Sequence, residues 1–168
     1  MSRIKKLKYL FMKLTLLFTG KTEDSYLREG IEIYAKRLKR YFPLEIKIIG
    51  GSGKKTKSSA GRARIRESEI ITSAVSRSSY IVLLDEKGEC YSSEEFARFI
   101  ENIMNRGYRE LVFVTGGAYG FSDELCGKAD HKVSLSDMTF THQMVRLILT
   151  EQLYRAVTII RGEQYHHE

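Results

Sequence analysis

Two short runs of apolar residues constrain the fold of this chain more than any other feature of its sequence. They are residues 80–84 (YIVLL) and residues 111–115 (LVFVT), and a continuous apolar run of this length is typical of a strand buried on both faces of a parallel sheet. Between them, Ser92 and Glu95 form an S-x-x-E capping box that predicts a helix extending to about Asn105. A strand, a helix and a second strand in this order indicate an α/β fold.

The rest of the chain continues this alternation. Further strands are predicted at residues 13–19, 45–49 and 132–134, helices at residues 23–41, 62–75, 142–160 and directly after Ser122, and a loop and a turn at residues 50–60 and 85–88. In the helix at residues 23–41, the positions expected to be buried are Tyr26, Ile33, Tyr34 and Leu38. The pattern predicts an open, mainly parallel sheet with helices on both faces.

The chain has 168 residues, which suits about one compact domain. Met12 stands directly before the first predicted strand, so we expect residues 1–11 to be an N-terminal extension and residues 12–168 to form a single domain. Lys13 interrupts the N-terminal apolar run, and no stretch approaches the roughly 20 apolar residues of a membrane span. We therefore expect a cytoplasmic protein without a membrane partner.

The net charge of +7 favours a polyanionic partner, with nucleic acid ahead of membrane. Six positive charges precede the first negative one in and after residues 50–60, and they are Lys54, Lys55, Lys57, Arg62, Arg64 and Arg66. They predict either a phosphate-contacting arm or a solvated basic face. Cys90 and Cys126 lack metal-ligand spacing, and the adjacent His166 and His167 read as a frayed terminus, so no metal site is predicted.

A glycine-rich turn, residues 116–120 (GGAYG), follows the apolar run at residues 111–115 directly. Glycines at the carboxyl end of a sheet strand let a ligand approach the backbone, and this edge is where open α/β sheets bind their ligands. The turn matches neither a dinucleotide fingerprint nor a phosphate loop. A plain tight turn therefore remains an equal alternative.

Residues 135–165 combine a polar loop, an apolar helix and an aromatic tail. Ser136, Asp137 and Thr139 readily bond nearby backbone groups, which suits an irregular loop or an N-cap. The helix carries a narrow polar stripe made of Gln143, Arg146, Thr150, Glu151, Arg155 and Thr158. Because apolar residues fill most of its remaining circumference, the helix must be covered on several sides, either by core and a partner subunit or by the core of a monomer.

Several ordered motifs resemble the RlmH family. Residues 138–156 (MTFTHQMVRLILTEQLYRA) and 161–166 (RGEQYH) resemble its C-terminal signature, residues 112–120 (VFVTGGAYG) its strand and glycine turn, and residues 81–88 (IVLLDEKG) the preceding strand and turn. A weaker likeness at residues 15–38 extends the resemblance over nearly everything from Met12 onward. The family consists of SPOUT-superfamily methyltransferases that methylate N3 of a pseudouridine in 23S ribosomal RNA of the large subunit.

The resemblance implies a C-terminal trefoil knot (the alpha-beta knot of SPOUT proteins), S-adenosyl-L-methionine bound in that knot, and a homodimer. Carried over position by position, the implied cofactor contacts are Leu84, Gly116, Leu135, Ser136, Asp137, Met138, Thr139 and Phe140. Sequence rules alone would not predict the knot, because true knots are almost absent from protein folds. Thr141 stands where the family usually has proline, and Gln164 where it has proline or a small residue, so we expect altered local geometry at both positions.

Methyl transfer from a sulfonium needs an aligned acceptor nitrogen, a dry pocket and a route for the N3 proton. We expect Arg155, Tyr165 and His166 to hold the base and phosphate, with His166 or Glu151 accepting the proton. His142 stands beside the cofactor loop and is expected to orient it rather than to titrate. A tail too short to fold back over its own site would reach the site of a partner subunit.

A non-catalytic RNA-binding or ribosome-associated module is the main alternative, since basic charge and ten tyrosines would serve it equally well. Binding of S-adenosylmethionine separates the two hypotheses. A nucleotide hydrolase built on the glycine turn is excluded, because the sequence offers it no phosphate-binding lysine and no metal-binding carboxylates.

Overall fold

The computed structural model describes residues 12–50, 60–76, 78–117 and 120–165. Its strands are β1 (Lys13–Thr19), β2 (Leu44–Ile49), β3 (Ser79–Cys90), β4 (Glu110–Thr115) and β5 (His131–Ser134). Its helices are α1 (Ser25–Leu38), α2 (Ala60–Ala74), α3 (Ser93–Asn105), α4 (Asp123–Lys128) and α5 (His142–Arg161). The expected extension at residues 1–11 and the lysines of the basic arm lie outside the described residues.

The five strands form one sheet in the order β2-β1-β4-β3-β5, and every pairing is parallel. Side chains alternate between its two faces. Leu16 and Phe113 pack with α1, α3 and α5 on one face, whereas Leu17 and Val114 pack with α2 and α4 on the other. The predicted parallel sheet with helices on both faces is therefore confirmed.

Local capping fixes where the helices begin and end. Ser92 and Glu95 form the predicted capping box at the start of α3, with both reciprocal hydrogen bonds present. Thr141 caps α5, because its Oγ1 accepts from the Met144 backbone N at 3.2 Å. The residue that replaces the family's proline thus supplies an N-cap, and Gly162 ends the same helix in the left-handed conformation at φ 66°.

The predicted buried face of α1 is wrong at two positions. Tyr26 is 61% exposed and Ile33 is 45% exposed, while the buried residues are Leu27, Ile31, Ala35 and Leu38. The latter recur at four- and three-residue spacing and form a cleaner apolar stripe, which faces the core. The helix also comes close to α5, since a Cβ at Gly30 would stand 2.8 Å from Leu147 Cδ1.

The predicted turn at residues 85–88 instead lies inside β3, as an irregularity within a longer strand. Val133 of β5 is the register partner of both Leu84 and Glu89, so the intervening residues leave the ladder and the strand then rejoins it. Gly88 permits this return, because a Cβ there would stand 2.6 Å from the Val133 carbonyl carbon.

Within the described ranges, no helix is both long enough and apolar enough to cross a membrane.

Candidate active site

A cavity of about 880 Å³ opens at the carboxyl ends of the central strands. Leu84, Thr115 and Ser134 contribute to its walls and stand at or near the ends of the paired stretches of β3, β4 and β5. This is the edge at which open parallel sheets bind ligands, because loops of successive strands diverge there and leave a crevice.

The structure brings most of the predicted cofactor residues together around this cavity. Those that line it are Leu84, Gly116, Leu135, Ser136, Met138, Thr139 and Phe140. Asp137 does not line it; its Oδ1 accepts a hydrogen bond from Cys90 Sγ at 3.6 Å. Asp137 thus joins the cavity loop to the end of β3 rather than to the cavity itself.

The loop at residues 135–140 is held by its own short polar side chains. Ser134 Oγ donates to the Ser136 carbonyl oxygen at 2.9 Å, and Ser136 Oγ accepts from the Met138 backbone N at 2.9 Å. Such local bonds replace the ladder of a regular element and fix an irregular backbone. Met138 and Phe140 are 75% and 40% exposed, so this fixed loop presents apolar side chains outward.

The absence of side chains at Gly116 and Gly117 lets two other side chains come close to the backbone of the glycine turn. A Cβ at Gly116 would stand 3.1 Å from the ring of Phe121, and a Cβ at Gly117 would stand 2.8 Å from Glu67 Oε2. Burial raises the pKa of Glu67 above its ordinary value. Gly120 closes the turn at φ 68° and donates its N–H to the Gly117 carbonyl oxygen at 3.2 Å. Gly117 and Gly120 are therefore joined by a hydrogen bond and line the cavity as well.

Among the described residues, those that line the cavity are more acidic than the chain as a whole. Three of them are carboxylates (Asp24, Asp85 and Glu86) and two are permanently charged cations, Arg64 and Lys87, although the chain carries a net charge of +7. The excess of carboxylates favours a cationic ligand and disfavours a phosphate.

The sequence prediction of the site missed Asp24 and Arg64. Asp24 comes from the loop after β1, inside the stretch of weaker likeness at residues 15–38, and Arg64 comes from α2. The signal for Asp24 was present, because it follows the carboxyl end of a strand that neighbours β4 in the sheet. For Arg64 we find no signal in the sequence beyond the basic run.

The predicted catalytic residues form two groups. His142, at the start of α5, is exposed and lines the cavity. Glu151, Arg155 and Tyr165 form a second group: Arg155 Nη2 donates to Glu151 Oε1 at 2.6 Å, and Tyr165 Oη donates to the same oxygen at 3.3 Å. His166 lies outside the described residues.

Aromatic packing supports this second group. The Arg155 guanidinium lies 5.0 Å from the centroid of the Tyr165 ring, and the Tyr165 hydroxyl is 3.3 Å from that of Tyr34 on α1. Burial, the hydrogen bond with Tyr34 and the charge of Glu151 raise the pKa of Tyr165 well above its ordinary value. Tyr165 therefore remains a hydrogen-bond donor at neutral pH and is unsuited to act as a base.

The two groups are far apart within one chain. Arg155 follows His142 by 13 positions on the same helix, which corresponds to roughly 20 Å along the axis. Glu163, at the start of the tail that follows α5, is also held away from the cavity, because its Oε2 accepts a hydrogen bond from Tyr41 Oη at 2.6 Å. One subunit alone does not bring Arg155 and Tyr165 to the cavity loop.

The polar stripe of α5 divides between the interior and the surface. Arg146, Thr150 and Thr158 are completely buried, and both threonine hydroxyls bond carbonyl oxygens of their own helix. The half-buried residues of α5 include the apolar Met144, Val145, Leu147 and Ile148. Apolar surface thus remains on the helix after its core contacts are made.

No group of three or more potential metal ligands is present among the described residues.

Comparison with known proteins agrees with this architecture. Residues 12–166 match the model of the family described as predicted SPOUT methyltransferases. A protein of Christiangramia forsetii named ribosomal RNA large subunit methyltransferase H is 47% identical over 156 residues, which span 93% of this chain and 99% of that protein. A protein of the same name from Geobacter sulfurreducens is 49% identical over 157 residues, spanning 93% and 100%.

A solved structure described as a probable methylase family protein from Haemophilus influenzae Rd KW20 is similar in fold, with a TM-score of 0.54 over 95% of this chain and 72% of that one. Its sequence identity is 12%, so it bears on the fold alone. The family match covers almost the whole described chain, and the similar proteins are matched over nearly their full length. This chain belongs to the SPOUT methyltransferase family.

Proposed function

We propose that this protein is an S-adenosylmethionine-dependent methyltransferase that methylates N3 of a pseudouridine in the 23S ribosomal RNA of the large subunit. The two relatives described above, which are 47% and 49% identical to this chain, are named ribosomal RNA large subunit methyltransferase H. The observation that carries the proposal is the single cavity lined by Leu84, Gly116 and five residues of the loop at residues 135–140. These are positions that the resemblance assigns to the cofactor.

The chemistry of the cavity fits the methyl donor. When bound, S-adenosylmethionine supplies a methyl group on a positively charged sulfur. The excess of carboxylates around the cavity is complementary to that charge. The glycine turn and the irregular loop offer backbone groups at close approach, which suits a flat adenine ring.

The second group of residues, Glu151, Arg155 and Tyr165, is suited to bind the pseudouridine that accepts the methyl group. In this proposal the guanidinium of Arg155 and the hydroxyl of Tyr165 hold the base and a phosphate of the acceptor, together with His166. Glu151, which these two side chains contact at 2.6 Å and 3.3 Å, or His166 accepts the N3 proton. The raised pKa of Tyr165 supports its assignment as a donor. His142 orients the cofactor loop.

A homodimer would join the two groups into one site. Within one chain they stand roughly 20 Å apart along α5, so the tail of one subunit would complete the cavity of the other. The apolar surface available for such a contact includes Tyr26 and Ile33 on α1, Met138 in the loop and Leu147 on α5. A symmetric pairing of these surfaces would bury all of them at once.

We also propose that the chain is knotted and acts on ribosomes in the cytoplasm. Helix α4 leads to β5 on one face of the sheet, whereas α5 packs between α1 and α3 on the other. The connecting loop must cross the strand ends, and Cys90 and Asp137 are in contact where the segment after β3 meets it. Passage of this loop beneath that segment would give the trefoil knot.

A transfer assay tests the proposed activity. Purified protein is incubated with radiolabelled S-adenosylmethionine and with ribosomes, large subunits or naked ribosomal RNA from cells that lack the protein. We expect label in 23S RNA with wild type, and a loss with Arg155→Ala and His166→Ala but not with Arg98→Ala, an exposed position on α3. Binding of the RNA with no label transferred and no cofactor bound would favour the non-catalytic alternative.

A further inference from the structure

Two charged side chains on the cavity wall come from outside the segments that the resemblance assigns to the cofactor. Asp24 stands between β1 and α1, and Arg64 lies near the start of α2. β1 neighbours β4 on the side away from β3 and β5. The chain therefore brings Asp24 to the cavity from the β1 side of β4, whereas the loop at residues 135–140 follows β5.

The carboxylate of Asp24 does not make the capping hydrogen bond that is usual for an aspartate at a helix N-cap. Asp24 is the N-cap residue of α1, yet its side chain accepts no capping hydrogen bond, although aspartate is favoured there for that bond. Its backbone N–H is held instead, by Gln143 Oε1 at 3.5 Å. Within the described ranges the structure gives the carboxylate itself no partner, and it lines the cavity.

Arg64 differs from the other arginines of its helix. Arg62 and Arg66 are exposed, whereas Arg64 is half-buried and lines the cavity. Its Nε is buried and has no acceptor among the residues that the structure describes. A buried N–H of a guanidinium without an acceptor is unfavourable, so an acceptor brought by a ligand would satisfy it.

A carboxylate and a guanidinium that line the same cavity match a ligand that carries both charges. A phosphate would meet Asp24 and the neighbouring carboxylates Asp85 and Glu86, which would repel it. An α-amino acid group presents an ammonium and a carboxylate on one carbon, and it fits an acid and a base together.

We propose that Asp24 and Arg64 form the subsite for the amino acid tail of S-adenosylmethionine, with Asp24 accepting from the α-ammonium and Arg64 donating to the α-carboxylate. The proposal rests on the proposed function. Asp85 is less suited to the tail than Asp24, because its Oδ1 already accepts from the Lys87 backbone N at 2.9 Å.

Calorimetry with two ligands tests this subsite without any turnover. S-adenosylhomocysteine contains adenosine, the thioether and the amino acid tail, whereas 5′-methylthioadenosine lacks the tail. We expect Asp24→Asn and Arg64→Gln each to weaken S-adenosylhomocysteine binding by about 10- to 100-fold, as for a lost charge-assisted hydrogen bond. Both variants should bind 5′-methylthioadenosine as wild type does.

Two matched variants serve as controls. Glu23→Gln and Arg62→Gln change an exposed neighbour of each residue outside the cavity wall, and both should leave both affinities unchanged. Equal weakening of the two ligands by Asp24→Asn and Arg64→Gln would overturn the subsite, because it indicates a distorted cavity.

Two further outcomes also overturn it. If Arg64→Gln binds S-adenosylhomocysteine as wild type does but binds ribosomal RNA more weakly, Arg64 contacts an RNA phosphate instead of the cofactor. Failure of wild type to bind either ligand would refute the proposed function itself, and the subsite with it.

Discussion

The guanidinium of Arg146 on α5 donates to the carbonyl oxygen of Thr19 at the end of β1, over 2.6 Å, from a side chain that is completely buried. It also donates to Thr22 Oγ1 at 2.8 Å, and burial lowers the pKa of the guanidinium. Within the described ranges, Arg146 has no carboxylate partner. The contact ties the helix that follows the cavity loop to the loop that carries Asp24.

Truncation of this side chain should destabilise the protein. Arg146→Ala removes the donor to the Thr19 carbonyl and leaves a void beside the Phe18 ring, which lies 5.6 Å from the guanidinium. We expect the free energy of unfolding to fall by about 2–4 kcal/mol. Urea titration at fixed protein concentration measures it, with Arg28→Ala, an exposed position on α1, as control. Equal unfolding free energies for the two variants would contradict the structural role of Arg146.

Gly88 should be intolerant of any side chain. Its Cβ would stand 2.6 Å from backbone of β5, so Gly88→Ala has to separate β3 from β5. We expect a lower thermal midpoint and weaker binding of S-adenosylhomocysteine, because β5 leads into the cavity loop. Gly61→Ala on α2 is the matched control, since nothing lies within 4 Å of its Cβ position, and alanine favours a helix by up to about 1 kcal/mol. A Gly88→Ala variant as stable as Gly61→Ala would show that the two strands are not in such close contact.

Glu110 should contribute stability at neutral pH that disappears in acid. Its carboxylate accepts from Ser79 Oγ at 2.5 Å and from Thr15 Oγ1 at 2.6 Å. Burial alone would raise the pKa of Glu110, but these hydrogen bonds and the charge of Lys13 outweigh it, so the pKa lies below its ordinary value. A carboxyl pKa that is lower in the folded state stabilises the protein above the unfolded pKa, about 4.3, and the contribution is lost as the pH falls through the folded pKa.

The test of this pH dependence compares Glu110→Gln with wild type. We expect the variant to be less stable by about 1–3 kcal/mol at pH 7 and the difference to shrink below the ordinary carboxyl range. Glu69→Gln, exposed on α2, provides the control. A difference that stayed constant from pH 7 to acid would show that the charge on Glu110 contributes nothing.

Complementation between two inactive variants should restore activity if the active site is shared between subunits. Gly116→Val fills the cavity beside Phe121, where even a Cβ would be 3.1 Å from the ring, and Arg155→Ala removes the cation that we propose binds the RNA base. A heterodimer of the two would contain one intact site, and we expect about half of wild-type activity for a C2 dimer. The heterodimer is purified through two different affinity tags. An inactive heterodimer would place Arg155 and the cavity of one catalytic site in the same subunit.

Much of this site was predictable because its chemistry lies in contiguous segments. Loops rich in Ser, Asp and Thr fix themselves through local bonds, as Ser134 and Ser136 do, and such bonds depend on neighbours in sequence. The buried strands and the capping box at Ser92 are local in the same sense. These features therefore follow from composition and spacing.

The features that sequence reasoning missed depend on which elements become neighbours. Asp24 and Arg64 line the same cavity as the loop at residues 135–140 because of the strand order β2-β1-β4-β3-β5, which alternation of helix and strand does not specify. The exposed face of α1 was misjudged because tyrosine at position 26 adds to an apolar pattern although its hydroxyl tolerates water. The extension of β3 to Cys90 depends on Gly88 meeting β5, another contact between distant segments.

Mass analysis of 23S ribosomal RNA from cells that lack this protein tests whether the protein methylates a pseudouridine of that RNA. RNA from these cells, from wild type, and from cells complemented with wild-type protein or with Gly116→Val is digested and its modified nucleosides are identified. We expect one pseudouridine to lose its methyl group in the deletion strain, wild-type protein to restore it, and Gly116→Val to leave it unmethylated. An unchanged set of methylated pseudouridines in the deletion strain would contradict this expectation.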